Sequence, residues 1–557
     1  MIFSSTDDNI PIIVFIDEVH ERSIYMDLIL SYIVRHHLEL TIDQSKRIIK
    51  FVLLSATIDV MFYKNFFNQC DINVDAITIS GKRKFKISHR YLEIDGLIKN
   101  KINNVIDHII EEYISSKSDI LIFLPTKSLC NYGVQHIVKK MGEDCDNILI
   151  KTLYGTTPQN IKDLLTGVEN YMNHGYTQRI IFSTPISETG ITFKTIGERN
   201  IDIVIDFGYK NIVIFDPKTG FFNQMIKETS QSSVVQRCGR VGRVADGTCY
   251  HIYPHNKYMK FNKYISPQIN TTNYYNLIIN FLKLRKNIYD VMIDIKFLPT
   301  PIDKNHLNFA LLKLYTMGIL YNGKFSLRGT IASDLGISER LGILIMNSFK
   351  YHDVVRYIIP IAIFININSN ILDWIPISNI TNFKNKYGSP ISFLKLWLEF
   401  KKSNVYQSPR SSMIYIKRLR DWCNKNDYNY ELFFKMVTSL KKTDERLQKY
   451  SKQLSTYFIS EIATIPKPEN DDNNIPVSVI NKIMMIFSTT FSDIRLKLNT
   501  SRKRFNLYGH DGSNTKISIR NYFTPMIDFA TSSLIGCTDV IITERGFPII
   551  VCPFVIK

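Results

Sequence analysis

The feature that most restricts the fold is a series of strand-length apolar runs, each ending in charged, hydroxylated or turn-forming residues. Pro11–Ile16 (PIIVFI) runs into Asp17-Glu18-Val19-His20, and Ile48–Leu54 runs into Ser55-Ala56-Thr57. Asp119–Leu124, Asn147–Leu153, Arg179–Phe182 and Ile201–Ile205 repeat the pattern, with Ser183-Thr184-Pro185 after the third of these. Continuous apolar runs of this length suit parallel strands buried on both faces. Helical spacing separates them over Arg22–His37, Asn100–Tyr113 and Lys127–Lys140. Such alternation implies βαβ units and a parallel sheet, with ligands beyond the carboxyl ends of the strands. Asn211–Ile226 reads as a hairpin turning at Asp216-Pro217-Lys218-Thr219-Gly220, and Thr248–Tyr253 reads as the closing edge strand.

Two clusters at strand ends carry the chemistry. The octet Gln236-Arg237-Cys238-Gly239-Arg240-Val241-Gly242-Arg243 places two arginines three residues apart, each preceded by glycine. Guanidinium forks grip phosphate oxygens bidentately, and glycine lets backbone approach a bulky anion. The adjacent carboxylates of Asp17 and Glu18 suit a metal held through water and a water molecule polarised for attack. Alone, an Asp-Glu pair is equally a solvated acidic turn, and an RxxR a solvated basic face. Arg237 and Cys238 read as packing or solvent-facing positions.

Charge points to a polyanionic partner. The 557 residues carry 69 Lys+Arg against 51 Asp+Glu, a formal net charge of +18. Part of the lysine excess matches a general over-use of Ile, Asn, Lys and Tyr. The eight cysteines (Cys70, Cys130, Cys145, Cys238, Cys249, Cys423, Cys537, Cys552) contain no CxxC pair and no zinc spacing, so they read as scattered reduced thiols. No secretory pattern opens the chain, and runs such as Tyr357–Ile365 are too short to span a bilayer. The expectation is a soluble, intracellular protein without a membrane partner.

Taken together, DEVHERS, Ser55-Ala56-Thr57, the stretch STPISETGITF, the hairpin DFGYKNIVIFDPKTG, QRCGRVGR and CYHIY occur in an order that resembles superfamily 2 helicases. Their wording is similar to the DEAH/RHA branch of DExH-box RNA helicases, and more loosely to the nucleoside triphosphate phosphohydrolase II of poxviruses and relatives in large DNA viruses. The resemblance covers Pro11 to Tyr253 closely and the remainder weakly. It implies an α/β fold of RecA-like parallel-sheet lobes, the first incomplete, followed by a mostly helical region and a small OB-like β-barrel. The implied segments are 1–85 and 86–255 for the lobes, 256–335 winged-helix-like, 336–465 a helical bundle and 477–557 the barrel. Pro466–Pro476 is a linker or exposed loop in this scheme.

The resemblance also implies roles. Asp17 positions Mg²⁺, Glu18 is the general base, and His20 couples hydrolysis to the arginine motif. Ser55 and Thr57 link nucleotide state to strand movement, and Thr184 bonds an RNA phosphate. Gly190 and Thr192 lie beside the nucleotide, Gln236 helps hold the attacking water or γ-phosphate, and Arg240 and Arg243 are arginine fingers. The hairpin is a strand-separating wedge in the family, with an ordinary sheet-edge hairpin the alternative here. ATP or another NTP is the implied cofactor with Mg²⁺. RNA is the partner, with DNA or an RNA–DNA hybrid as further candidates. A viral source implies the host cytoplasm or the virion.

One departure stands out. The family's phosphate-binding loop, GxxxxGK(S/T), does not occur: Gly81-Lys82 is followed by Arg83 and Gly323-Lys324 by Phe325. The acidic motif also begins close to Met1. The expectation is therefore a fragment or split frame of an NTP-dependent, 3′-to-5′ RNA helicase. The alternative is an RNA-binding remnant that hydrolyses nothing. A nuclease using Asp17 and Glu18 is disfavoured, because no further carboxylates cluster with them in the sequence.

Overall fold

The computed structural model describes residues 12–42, 49–79, 84–457 (apart from 115, 197–198, 404 and 407–412) and 475–556 (apart from 494, 500–503, 509–513, 516–533 and 544–547). Two compact units result. Met1–Val213, Met225–Thr271 and Phe297–Pro301 form the first, and Ile214–Gln224, Thr272–Lys296 and Ile302–Lys557 the second.

The first unit opens with β1 (Ile12–Ile16), α1 (Ile24–Ile42), β2 (Ile49–Leu53) and α2 (Val60–Asn68). The two strands pair in parallel, Ile12 opposite Ile49 and Ile16 opposite Leu53. Asp59 caps α2 by accepting the Phe62 N–H at 3.0 Å. Both helices contribute to one core with Ile16, Val19, Leu30, Val34, Tyr63 and Phe67. The other face of β1 is bare: Ile13 is 54% and Phe15 66% exposed. This corrects the expectation of a strand buried on both faces, because among the described residues nothing covers that side.

The second sheet has six parallel strands. They are β3 (Ile87–Tyr91), β4 (Ile120–Phe123), β5 (Ile148–Leu153), β6 (Gln178–Ser183), β7 (Ile203–Asp206) and β10 (Gly247–His251), in the order β3-β10-β7-β4-β6-β5. All pairings are parallel, as the sequence pattern requires. Strand β4 is buried throughout, with Ile120 and Ile122 in the core on one face and Leu121 and Phe123 in the core on the other. The helix α3 (Lys127–Met141) starts at Thr126, whose hydroxyl accepts the Leu129 N–H at 3.2 Å. It comes close to β6 through Gly133, where any side chain would strike the Phe182 ring.

Two expectations about this sheet change. Strand β10 is interior rather than a closing edge, because β3 lies outside it. The β3 sequence ISHRY is mostly polar and gave no apolar-run signal. The helix expected over Asn100–Tyr113 is broken by a π-helical turn at Ile106–Ile110.

The hairpin consists of β8 (Tyr209–Asp216) and β9 (Phe221–Glu228). The Asp216 carboxylate accepts the Lys218 N–H at 2.9 Å and the Thr219 hydroxyl at 3.0 Å, and Gly220 turns with φ 74°. The tip, Ile214–Gln224, belongs to the second unit. There it is built into a sheet, since Phe222 pairs with Ile541 in parallel register.

The second unit is mainly helical. Its early hairpin pairs β11 (Leu320–Tyr321) with β12 (Lys324–Phe325). Strand β12 is followed by a helix, Leu327–Asp334, capped by Ser326 Oγ accepting the Gly329 N–H at 2.8 Å. The helices His352–Ile367, Ser389–Lys402 and Tyr430–Lys449 meet in an aromatic cluster around Phe364, Phe393 and Phe433. Trp422, on the helix Met413–Asn426, stacks its edge on Phe433 with ring centres 5.1 Å apart, which places it in that core.

The final strands are β13 (Arg495–Asn499), β14 (Arg504–Tyr508), β15 (Asn514–Thr515), β16 (Leu534–Gly536), β17 (Asp539–Ile542), β18 (Pro548–Val551) and β19 (Phe554–Val555). Among the described residues they divide between an open sheet, β15-β14-β13-β16-β19, and a second, β18-β17-β9-β8. The expected closed barrel is therefore not formed by these pairings. The linker Pro466–Pro476, except 475–476, lies outside the described residues.

Candidate active site

The acidic motif follows β1 in a tight 3₁₀ turn, Val19–Glu21, bracketed by two left-handed residues, Glu18 at φ 54° and Arg22 at φ 46°. Non-glycine residues rarely adopt this conformation, so something must hold it. The holding contacts are visible. Val19 is fully buried, its N–H donates to Leu54 O at 3.2 Å, and Tyr63 OH donates to Val19 O at 2.8 Å. Arg22 is buried against Asp27, with Nε to Oδ1 at 2.7 Å, donates to Thr300 Oγ1 at 2.6 Å and covers the Phe62 ring at 4.5 Å. With both ends fixed, Asp17 and Glu18 stand exposed at the strand end while His20 turns inward.

His20 joins three motifs. Its Nδ1 lies 2.8 Å from Ser55 Oγ and 3.2 Å from Glu18 Oε2. On the other side of the ring, the Gln236 amide nitrogen donates to Nε2 at 2.6 Å, which leaves Nδ1 to carry the proton toward Ser55 or Glu18. Ser55 Oγ also accepts the Thr57 N–H at 3.2 Å. Residues 216 positions apart in the chain, His20 and Gln236, are thus in direct contact.

The octet lies on α5 and the turn after it. With α4 (Gln159–Thr166) before it, α5 spans Gln231–Cys238 and is capped by Ser230 Oγ accepting the Ser233 N–H at 3.2 Å. Arg237 is fully buried. It pairs with Asp206 Oδ1 at 2.7 Å and Glu188 Oε2 at 3.0 Å, bonds the Tyr209 carbonyl and Thr229 hydroxyl, and lies over Phe123 at 5.2 Å. Burial alone would raise the Asp206 carboxyl, but Arg237, the Tyr253 hydroxyl and the Gly208 N–H hold it well below the usual carboxylate range. Arg240 donates Nη1 to Ile191 O at 2.7 Å and Nη2 to Glu188 O. Burial and the nearby Arg243 lower its pKa to about 10. Arg243 is exposed, and its Nε donates to Gly239 O at 3.2 Å.

Thr184 follows β6 half-buried, and Gly190 and Thr192 are exposed on the same STPISETGITF loop whose carbonyls hold Arg240. The structure brings His20, Ser55, Thr57 and Gln236 together directly. It ties Arg240 to the loop of Gly190 and Thr192. Arg243 bonds within its own motif, to Gly239 O. Three buried polar atoms in these motifs have no partner: Thr57 Oγ1, Gln236 Oε1 and Arg240 Nε. Orphaned groups of this kind are costly unless something polar meets them: Thr57 Oγ1 and Arg240 Nε can donate to an anion, and Gln236 Oε1 can accept from a water molecule. The exposed carboxylates of Asp17 and Glu18 supply the oxygen donors that Mg²⁺ requires.

The structural residues that sequence reading passed over are Arg22, Glu188, Asp206 and Arg237. Arg237, by sequence a packing or solvent-facing position, is the ionic centre of the motif. Its spacing of three from Arg240, and the carboxylate of Asp206 closing an apolar strand, were the available signals.

Comparison with known proteins fits this arrangement. Residues 100–245 match the helicase conserved C-terminal domain. The chain is 24% identical over 503 residues to the probable ATP-dependent RNA helicase DHR2 of Saccharomyces cerevisiae, covering 86% of the chain and 62% of that protein. It is 28% identical over 264 residues to the putative ATP-dependent RNA helicase L540 of Acanthamoeba polyphaga mimivirus, covering 46% of the chain and 35% of that protein. The chain is thus similar to DExH-box superfamily 2 helicases of the DEAH/RHA type.

The helicase fold extends beyond the matched domain. The crystal structure of Escherichia coli DEAH/RHA helicase HrpB superposes with a TM-score of 0.65 at 18% identity, over 98% of this chain and 56% of that one. The chain thus spans less than two thirds of the relatives it matches. No helix among its described residues is long and apolar enough to cross a membrane.

Proposed function

We propose that this helicase chain couples NTP hydrolysis to 3′-to-5′ movement along RNA. The observation that carries the reading is the His20–Gln236 contact, which binds the acidic motif to the arginine motif at 2.6 Å. In this scheme Asp17 holds Mg²⁺, which when bound neutralises phosphate charge. Glu18 takes the proton of the attacking water, and Gln236 orients that water with its free Oε1. Arg240 and Arg243 face the charge that develops on the transferred phosphoryl group. Ser55 and Thr57, next to His20, report the state of this centre to the strand that carries them. Gly190 and Thr192 line the nucleotide, and Thr184 bonds an RNA phosphate. The net charge of +18 supports a nucleic-acid partner, and the names of the relatives favour RNA over DNA. The mimivirus likeness supports a source among large DNA viruses, with the host cytoplasm or the virion as the place of work.

A second reading, RNA binding without hydrolysis, is favoured by one observation. No GxxxxGK(S/T) occurs in the 557 residues, and the nearest spacing, Gly318 to Phe325, folds as the β11–β12 hairpin rather than a strand-to-helix phosphate loop.

RNA-stimulated ATP hydrolysis by the full chain, with Glu18→Gln as control, decides between them. Hydrolysis that drops at least about 100-fold in the control supports the first reading. RNA bound in a steeply salt-dependent manner with no hydrolysis supports the second. Neither hydrolysis nor RNA binding overturns both.

A further inference from the structure

Cys238 and Cys249 have no metal-binding spacing in the sequence, yet the fold assembles them with two histidines. Cys249 and His251 alternate on β10, so both face the same side of the sheet, and His89 stands opposite Cys249 in the β3 register. Cys238, the last residue of α5, comes down onto that face. One donor atom each from His89, Cys238 and Cys249 lie within 4.8 Å of one another. His251 Nε2 is 3.0 Å from His89 Nδ1 and 4.0 Å from Cys238 Sγ.

We propose that His89, Cys238, Cys249 and His251 form a binding site for one thiophilic divalent cation of the Zn²⁺ type. Zinc takes thiolate and imidazole donors in a tetrahedron with bonds of about 2.3 Å to sulfur and about 2.0 Å to nitrogen, which makes donor-to-donor edges of roughly 3.3–3.8 Å. The measured separations bracket those edges, so small side-chain adjustments suffice. Supporting groups are also in place: His251 Nδ1 is 3.0 Å from Tyr253 OH, which donates to Asp206 Oδ2 at 2.6 Å. A hydrogen-bonded Nδ1 fixes the ring and directs Nε2 at the cluster, as outer-shell partners do for metal-bound histidines.

Access and chemistry agree with the assignment. Cys238 is 3% and Cys249 0% exposed, both thiols are free, and His89 opens to solvent as the route of entry. Zn²⁺ binds thiolates, so cation uptake displaces the two thiol protons to solvent. Because Cys238 lies between Arg237 and Arg240, the ion would pin the end of the arginine helix to β3 and β10. This site does not depend on the proposed hydrolysis.

The test is zinc content of the full chain, purified without a metal-affinity tag and dialysed, together with Co²⁺ titration read by absorption. The expected result is a single equivalent of zinc per chain and thiolate-to-cobalt charge-transfer bands. Cys238→Ala and Cys249→Ala should abolish both. His89→Ala alters an exposed position and so tests the site without threatening the core. It should weaken Co²⁺ binding by at least about 10-fold. A chain without stoichiometric metal and without thiolate bands overturns the proposal. So does a Cys238–Cys249 disulfide in the protein as purified, or a His89→Ala variant that binds Co²⁺ as tightly as the parent.

Discussion

Strands β1 and β4 read almost alike, IIVFI and ILIF, yet they have different environments. Every residue of β4 is buried, because helices cover both faces of its sheet and β6 and β7 flank it. In β1 exposure alternates, because α1 and α2 cover one face only. An apolar run states that a strand is able to bury both faces. Whether it does so depends on what packs against it.

That contrast can be tested by substitution. The largest effect is expected from Arg237→Ala, which removes the guanidinium over Phe123 at the end of β4 and leaves Asp206 and Glu188 buried without their partner. Breaking a buried ion pair on one side costs about 3–5 kcal/mol, read from urea unfolding. An unchanged midpoint would mean that Arg237 does not organise the sheet end.

Next is Ile122→Ala in the centre of β4, where a cavity should cost about 3 kcal/mol by the same measurement and speed amide exchange along the strand. The smallest effect is expected at Phe15→Ala in β1. Its ring is largely in solvent, so stability should shift by less than about 0.5 kcal/mol while binding of a hydrophobic dye falls. A loss at Phe15 as large as that at Ile122 would show that β1 is covered in solution, and the contrast would collapse.

The same division runs through the candidate site. The strand ends, the hairpin turn at Asp216–Gly220 and the run of motifs were legible, since each rests on local pattern or residue type. The contact of His20 with Gln236 was anticipated only through resemblance. Spacing along the chain says nothing about a bond between residues 216 positions apart. Strand β3 escaped because its exposed edge keeps it polar, and its absence made β10 appear to be the edge. Arg237 was misread because a buried arginine and a solvated one look identical in sequence. Only its two carboxylate partners distinguish them.

What the sequence determined by itself was the alternation of strand and helix, the parallel sheet that follows, and the placing of acids, hydroxyls and arginines at the ends of its elements. Periodicity and turn chemistry are local, so they survive being read one residue at a time. What only the tertiary structure decided was which apolar faces are covered, which charges are neutralised and which thiols meet. Those outcomes depend on distances between residues far apart in the chain. His89, Cys238 and Cys249 show this best, being separated in sequence and drawn together by strand register and the end of one helix.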